Sequence, residues 1–213
     1  MGSSIRQAFV AIACLCAALL LPGCASEVAS PAAGQALLVP GQGIVVGSLV
    51  LDFGHSSPEL RKAVNAQSWV SITVRRAGGG MGDDMTFTTS AAARNTPGLE
   101  RMTDTDRRLL FFRSLPPGDY VVWRRNGQLL NSTFNSMESE QSLRFTVRAG
   151  AVTYIGAEVV TSYAKRDWLG VTSPGTTGLV LSDDVDDDSR HLYHLHPELR
   201  SLPFGNALHG GAR

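Results

Sequence analysis

The acidic run Asp183-Asp184-Val185-Asp186-Asp187-Asp188, followed by His191 and His194, places five carboxylates and two imidazoles within twelve residues. Carboxylate oxygens in such density suit a hard cation such as Ca²⁺, and imidazole pairs suit Zn²⁺ or Cu²⁺. The spacing fits neither well. An EF-hand loop starting at Asp184 calls for glycine at position 189 and glutamate at 195, where the chain has Ser189 and Leu195. His191 and His194 stand three apart and share one face of a helix, but two histidines make half a site. A metal here would use His191, His194, Asp184 and Asp186. The competing reading is electrostatic: the acids charge the positive end of a helix from Asp187 to Leu195, the histidines sit near its negative end, and Pro197 stops it. No cofactor is expected.

The thiols are confined to the start of the chain. Cys14 and Cys16 fall inside the apolar run Ala8 to Leu21, and Cys24 follows Pro22-Gly23. That run is shorter than the roughly 20 residues a bilayer-spanning helix needs, so residues 1–23 read as a secretion signal. Leu21-Pro22-Gly23-Cys24 resembles the lipobox of bacterial lipoproteins, and the resemblance implies cleavage before Cys24 and its acylation. Ala25 and Ser26 follow, with no aspartate at the retention position, which in a Gram-negative cell implies transfer to the outer membrane, facing the periplasm. The sequence after position 24 has no cysteine, hence no disulfide, thiolate metal site or cysteine nucleophile. Residues 24–42, small and without period, read as a lipidated N-terminus and flexible tether.

Other chemistries lack a motif. There is no Gly-x-Ser-x-Gly elbow and no His-Glu-x-x-His, so the expectation is a non-catalytic protein. Gly78-Gly79-Gly80-Met81-Gly82 fails both nucleotide fingerprints and is followed by a strand pattern, which makes it a hairpin loop. Nineteen Lys and Arg balance nineteen Asp and Glu, leaving no basic field for nucleic acid.

The elements that must position these groups are strands. Residues 44–53, 69–76, 85–88, 109–112, 120–123, 143–148, 152–160 and 178–182 alternate in hydropathy or run fully apolar, with turn residues between them. In the first of these, Ser48 and Asp52 fall on the face opposite Val45, Leu49 and Leu51; in the second, Ser71, Thr73 and Arg75 fall opposite Val70, Ile72 and Val74 and read as a solvated face. Pro116-Pro117-Gly118 turns the chain into the central strand, Asn126-Gly127 signals a hairpin, and Ala149-Gly150 signals another turn. A short helix fits Pro58 to Ala66, and residues 91–106 read as a surface excursion. The expectation is a mainly β fold, an antiparallel immunoglobulin-like or prealbumin-like sandwich of eight or nine strands with a short C-terminal helix, spanning 43–200, with 201–213 as a tail.

Leu115-Pro116-Pro117-Gly118-Asp119-Tyr120, the Phe145-Thr146-Val147-Arg148-Ala149-Gly150 and Tyr154-Ile155-Gly156 pair, and the acidic segment closing on His196-Pro197 together resemble a group of proteobacterial lipoproteins of unknown function with a prealbumin-like sandwich. These turn signatures are shared with carboxypeptidase-regulatory-like and other transthyretin-like modules. The resemblance implies a fold and an envelope location, and it carries no catalytic residue. What remains is an interaction or accessory module of the cell envelope with a membrane anchor at Cys24 and an envelope protein as partner. The alternative is an envelope protein that binds a small ligand or metal through its C-terminal Asp/His segment. Trp168, in the polar stretch Tyr163 to Gly170, is the expected contact residue, because core packing explains a Trp there poorly; the competing reading is that it folds back as a lid on the sandwich.

Overall fold

The computed structural model describes residues 38–89, 100–130, 132–137 and 143–209. Their strands are β1 (Gly43–Asp52), β2 (Trp69–Arg76), β3 (Met85–Thr88), β4 (Glu100–Met102), β5 (Asp106–Leu115), β6 (Gly118–Leu129), β7 (Ser132–Met137), β8 (Arg144–Val147), β9 (Val152–Arg166), β10 (Thr172–Ser182) and β11 (Phe204–Asn206). Two helices join them, α1 (Pro58–Gln67) and α2 (Val185–Leu195). The expected mainly β sandwich is present, built from two sheets. One runs β10-β9-β1-β5-β4 with β11 also on β9, and the other runs β3-β2-β6-β7 with β8 also on β6.

Most pairings are antiparallel, but β9 runs parallel to both β1 and β11. That places β1 at the centre of its sheet, between β5 and β9, where both faces must be covered. Its burial pattern agrees: Ile44, Val45, Val46, Leu49 and Leu51 are all closed to solvent. Their inward side chains meet Val70, Ile72, Val122 and Phe111 in one core between the sheets.

Two turns that read as reversals are corners between sheets. Pro116-Pro117 carries the chain from β5 in one sheet to β6 in the other, and Ala149-Gly150 returns it from β8 to β9. Gly118 takes φ +149° at the first corner. The corner is tied by Tyr120, whose hydroxyl donates to the Pro116 carbonyl at 2.8 Å. A Tyr that bonds back to the backbone just upstream is the tyrosine corner of sandwich domains, and Tyr120 stacks on Phe145 of β8 to complete it.

Several expectations need correction. Asn126-Gly127 is not a turn; it lies inside β6, paired to Phe134 and Asn135 of β7, and the chain bends instead after Leu129, where Leu130 takes φ +53°. Gly127 is there because a Cβ would lie 2.1 Å from the Phe134 ring, which covers it. Residues 201–209 are not a loose tail: β11 pairs with the start of β9, and Leu199 of the 3₁₀ turn before it is buried. The excursion over 91–106 contains β4, and β5 begins at Asp106, three residues before the apolar run. Among the described residues the strands number eleven rather than eight or nine. Gly78 to Gly82 does bridge a hairpin, with β2 and β3 antiparallel and Arg75 clasping Asp84 through two N–H groups at 2.6 and 3.0 Å.

Candidate functional site

The acidic segment becomes α2, which lies across the outer face of the β1–β5–β9 sheet. Its acids face arginines. Asp188 is fully buried and accepts three side-chain bonds: Ser48 Oγ at 2.5 Å from β1, Tyr154 Oη at 3.0 Å from β9, and Arg108 Nη1 at 2.9 Å from β5. Arg108 Nη2 turns to Asp184, whose other oxygen accepts Ser182 Oγ at 2.8 Å, and Tyr154 Oη accepts the Asp184 backbone N–H at 3.2 Å. Arg101 of β4 pairs with Asp187. Five strands, β1, β4, β5, β9 and β10, are thus bolted to one turn of helix.

The electrostatics follow from that geometry. Burial and the adjacent Asp188 charge push the Tyr154 hydroxyl well above its ordinary range. Burial works against charge on Asp184, but the Arg108 and Ser182 bonds outweigh it and hold its carboxyl low; Arg101 does the same for Asp187. Arg108 loses hydration by burial, and the Asp184 and Asp188 bonds more than restore its charge. Ser48 is buried because α2 covers it, and the expected solvated face of β2 is closed too, with Ser71 and Thr73 buried and Thr73 Oγ1 3.1 Å from Thr86 Oγ1 of β3.

Of the metal-site residues, Asp184 is engaged by Arg108 and Ser182, Asp186 is exposed, His191 is half-buried and His194 exposed. Among the described residues no three His, Cys, Asp or Glu side chains gather as a metal site. The buried Ser48, Tyr154 and Asp188 contain a hydroxyl and a base in contact, yet all are closed to solvent and mutually saturated, which is the arrangement of a structural clasp. Ser162-Tyr163-Ala164-Lys165 has the Ser-x-x-Lys spacing of a serine–lysine nucleophile pair. In a strand, residues three apart point to opposite faces, and here Ser162 is fully buried while Lys165 is exposed.

The tryptophans separate cleanly. Trp69 is half-buried and donates from Nε1 to Gln128 at 3.3 Å. Trp123 is half-buried beneath the Arg75 guanidinium, 3.8 Å from the ring centre. Trp168 is 90% exposed. It stands at the end of the β9–β10 hairpin, with Leu169 at 66% and Val171 at 56% exposure beside it. The stretch from Tyr163 to Arg166 is the end of β9, so only Asp167 to Val171 form the connection.

That connection is held rigidly. Asp167 N–H donates to the Val171 carbonyl at 3.0 Å and Gly170 N–H to the Asp167 carbonyl at 3.0 Å. The Asp167 carboxylate accepts Leu169 N–H at 2.9 Å and Val171 N–H at 2.8 Å. This is an Asx turn, and Asp is the residue type that makes one. Further back, the Ala164 N–H donates to Ser56 Oγ at 2.9 Å, which braces the hairpin against the loop before α1.

No family model and no curated protein matches the chain. One solved structure is similar, a cell-adhesion candidate from Parabacteroides distasonis ATCC 8503, with a TM-score of 0.28 and 11% identity over 67% of this chain. The chain spans 41% of that protein's length. A likeness at that score supports no argument about fold or activity.

At the same end of the sandwich, an open groove of about 480 Å³ lies between α1 and the β4–β5 turn, lined by Phe53, Pro58, Arg61, Lys62, Asn65 and Met102. The Arg61 guanidinium is spent on the Ser56 and Gly54 carbonyls at 3.2 and 3.1 Å. Among the described residues no helix is long and apolar enough to cross a membrane, and Cys24 lies outside them.

Proposed function

We propose that this chain is a non-catalytic interaction module of a bacterial cell envelope, anchored through acyl chains on Cys24 and making contact through the β9–β10 hairpin end. The observation that carries the contact is the exposure of Trp168, Leu169 and Val171 on a turn whose backbone is fixed by Asp167. A large exposed aromatic on a preorganised turn loses little freedom on binding, which is the property of an interaction hot spot. The Leu21-Pro22-Gly23-Cys24 motif and the turn signatures of prealbumin-like lipoproteins support the anchor and the outer-membrane, periplasm-facing location. Two or more acyl chains, at roughly 0.8 kcal/mol per buried CH₂, make a durable anchor where one is marginal.

Two measurements test this reading. Cys24→Ser is expected to accumulate unprocessed precursor and to lose metabolic labelling by a fatty acid; a mutant that still takes up label refutes the anchor. In-cell crosslinking of wild type beside Trp168→Ala is expected to show an envelope component captured by the first and lost in the second. Identical crosslinks in both would refute the hairpin end as the contact element.

A further inference from the structure

The hairpin end shows what kind of surface it contacts. The turn spends its amides inward: the N–H groups of Asp167, Leu169, Gly170 and Val171 are all bonded within the turn, two of them to the Asp167 carboxylate. What is left facing outward is an indole and two aliphatic side chains. Directly below them on β9 are two exposed cations, Lys165 and Arg166, with Lys165 lying over the Tyr163 ring at 5.4 Å. The acid in the turn, Asp167, bonds its own backbone, and Glu59 of α1, held low first by its Ser57 bond, lies within electrostatic reach of Arg166.

An apolar cap with four of its five amides bonded, above two exposed cations, matches a lipid surface. Backbone groups entering hydrocarbon must already be bonded, because no water is there to bond them. Indole rings favour the depth of the headgroups, aliphatic side chains go deeper, and Lys or Arg just behind them meet phosphates. A protein groove would instead leave polar partners to be matched across the contact, at a density of about one hydrogen bond per 100–200 Å².

The register gives the tip its reach. β1 pairs β9 in parallel from Ile44↔Val152 to Asp52↔Thr161, so the strands run together away from the point where the chain enters the sandwich. Beyond Thr161, β9 continues to Arg166 paired with β10 alone, a two-stranded arm extending about 15 Å past β1.

We infer that the β9–β10 hairpin end beds Trp168 and Leu169 into the interface of an anionic bilayer, with Lys165 and Arg166 on its phosphates. This rests on the hairpin end being the contact element. The test uses the mature chain from residue 24 carrying Cys24→Ser, titrated with vesicles of phosphatidylcholine alone and of phosphatidylcholine mixed with phosphatidylglycerol. The readout is Trp168 emission, taken as the difference between that protein and the same protein with Trp168→Phe, an exposed site where folding is untouched; residues 1–37 contain no Trp to confuse it. The expected result is a blue shift on the mixed vesicles, quenching by lipids brominated on their acyl chains, and a loss of affinity on the order of tenfold with Lys165→Gln and Arg166→Gln together. Trp168 emission that stays at its solvent-exposed wavelength on every vesicle overturns the inference. If that silence accompanies a protein crosslink lost in Trp168→Ala, the contact element stands and its occupant is a protein. If it accompanies no such crosslink, the contact element falls too.

Discussion

Asp188→Ala is expected to lower the stability of the folded domain by about 3–5 kcal/mol, because it breaks a buried ion pair from one side and leaves the other charge in place. Arg108 would keep its exposed-side partner Asp184 but lose the bond at 2.9 Å that fixes its inner nitrogen. Ser48 and Tyr154 would each retain a buried hydroxyl without its acceptor, and every such orphan costs about 1–3 kcal/mol. For a domain of this size the loss corresponds to a fall in Tm of about 10 °C. Urea unfolding followed by far-UV circular dichroism measures it. A change under about 1 kcal/mol would show that α2 is held by its apolar contacts, chiefly Leu192, and that the acids are incidental.

The same clasp sets a pH dependence. Asp184 and Asp187 titrate lower in the folded chain than in the unfolded one. Their contribution is therefore present above the ordinary carboxylate range, near pH 4, and is lost as pH falls through their depressed folded values. Unfolding curves of the wild type should steepen in pH dependence below that point, and Arg101→Gln, which removes the partner of Asp187, should flatten part of the slope.

Arg107→Met is expected to cost a similar amount, about 3–5 kcal/mol, by a different route. Arg107 is 1% exposed and its guanidinium closes the end of α1: Nη1 donates to the Asn65 carbonyl and side chain at 2.9 and 3.0 Å, and Nη2 to the Ser68 carbonyl at 2.7 Å. Glu100 of β4 lies 3.4 Å from its Nε. A cation at a helix C-terminus is favourable, and here it also satisfies the carbonyls that the last turn leaves open. Methionine fills the volume but donates nothing. Amide exchange should then accelerate first in the last turn of α1, ahead of the β1 and β9 amides. Uniform protection in the mutant would contradict this. Lysine should rescue only in part, since an ammonium cannot span both carbonyls in the planar fork.

These two arginines also mark where the sequence stops being legible. Alternation located β1, β2, β6 and β9 because their inward residues are apolar, and the Pro-Pro-Gly corner was visible because few residue types can make it. The stretch Asp106-Arg107-Arg108 carries no such signal: three charges in a row read as surface, yet Arg107 is buried on the inner face and Arg108 is covered by α2 on the outer one. Burying them requires partners that are forty to eighty residues away, and nothing local announces the match. The burial of Ser48 is hidden for the same reason, since the helix that covers it arrives 140 residues later. Asn126-Gly127 failed differently: the dipeptide does favour a turn, but the ring of Phe134 occupies the space a side chain would need. The acids of α2 were legible as a helix start, though Asp184 makes no side-chain cap and the run serves to grip arginines. Trp168 stood out in sequence as an aromatic without a core, and its exposure bears on that reading directly.

The parallel pairing of β1 with β9 has a temporal side. β1 ends at Asp52, but its two neighbours are β5, some sixty residues on, and β9, about a hundred residues on. A strand that must wait for partners so distant cannot be stabilised early, because the loops that close around it cost entropy before any contact repays it. The middle of the main sheet is therefore the last thing to become permanent as the chain is made, and folding belongs to the slow, millisecond-to-second class of topologies rich in distant pairings. Until residues 152–161 are available the leading half has only one side of its central strand to zip. A polypeptide ordered this way keeps one edge of its central strand open for most of its length.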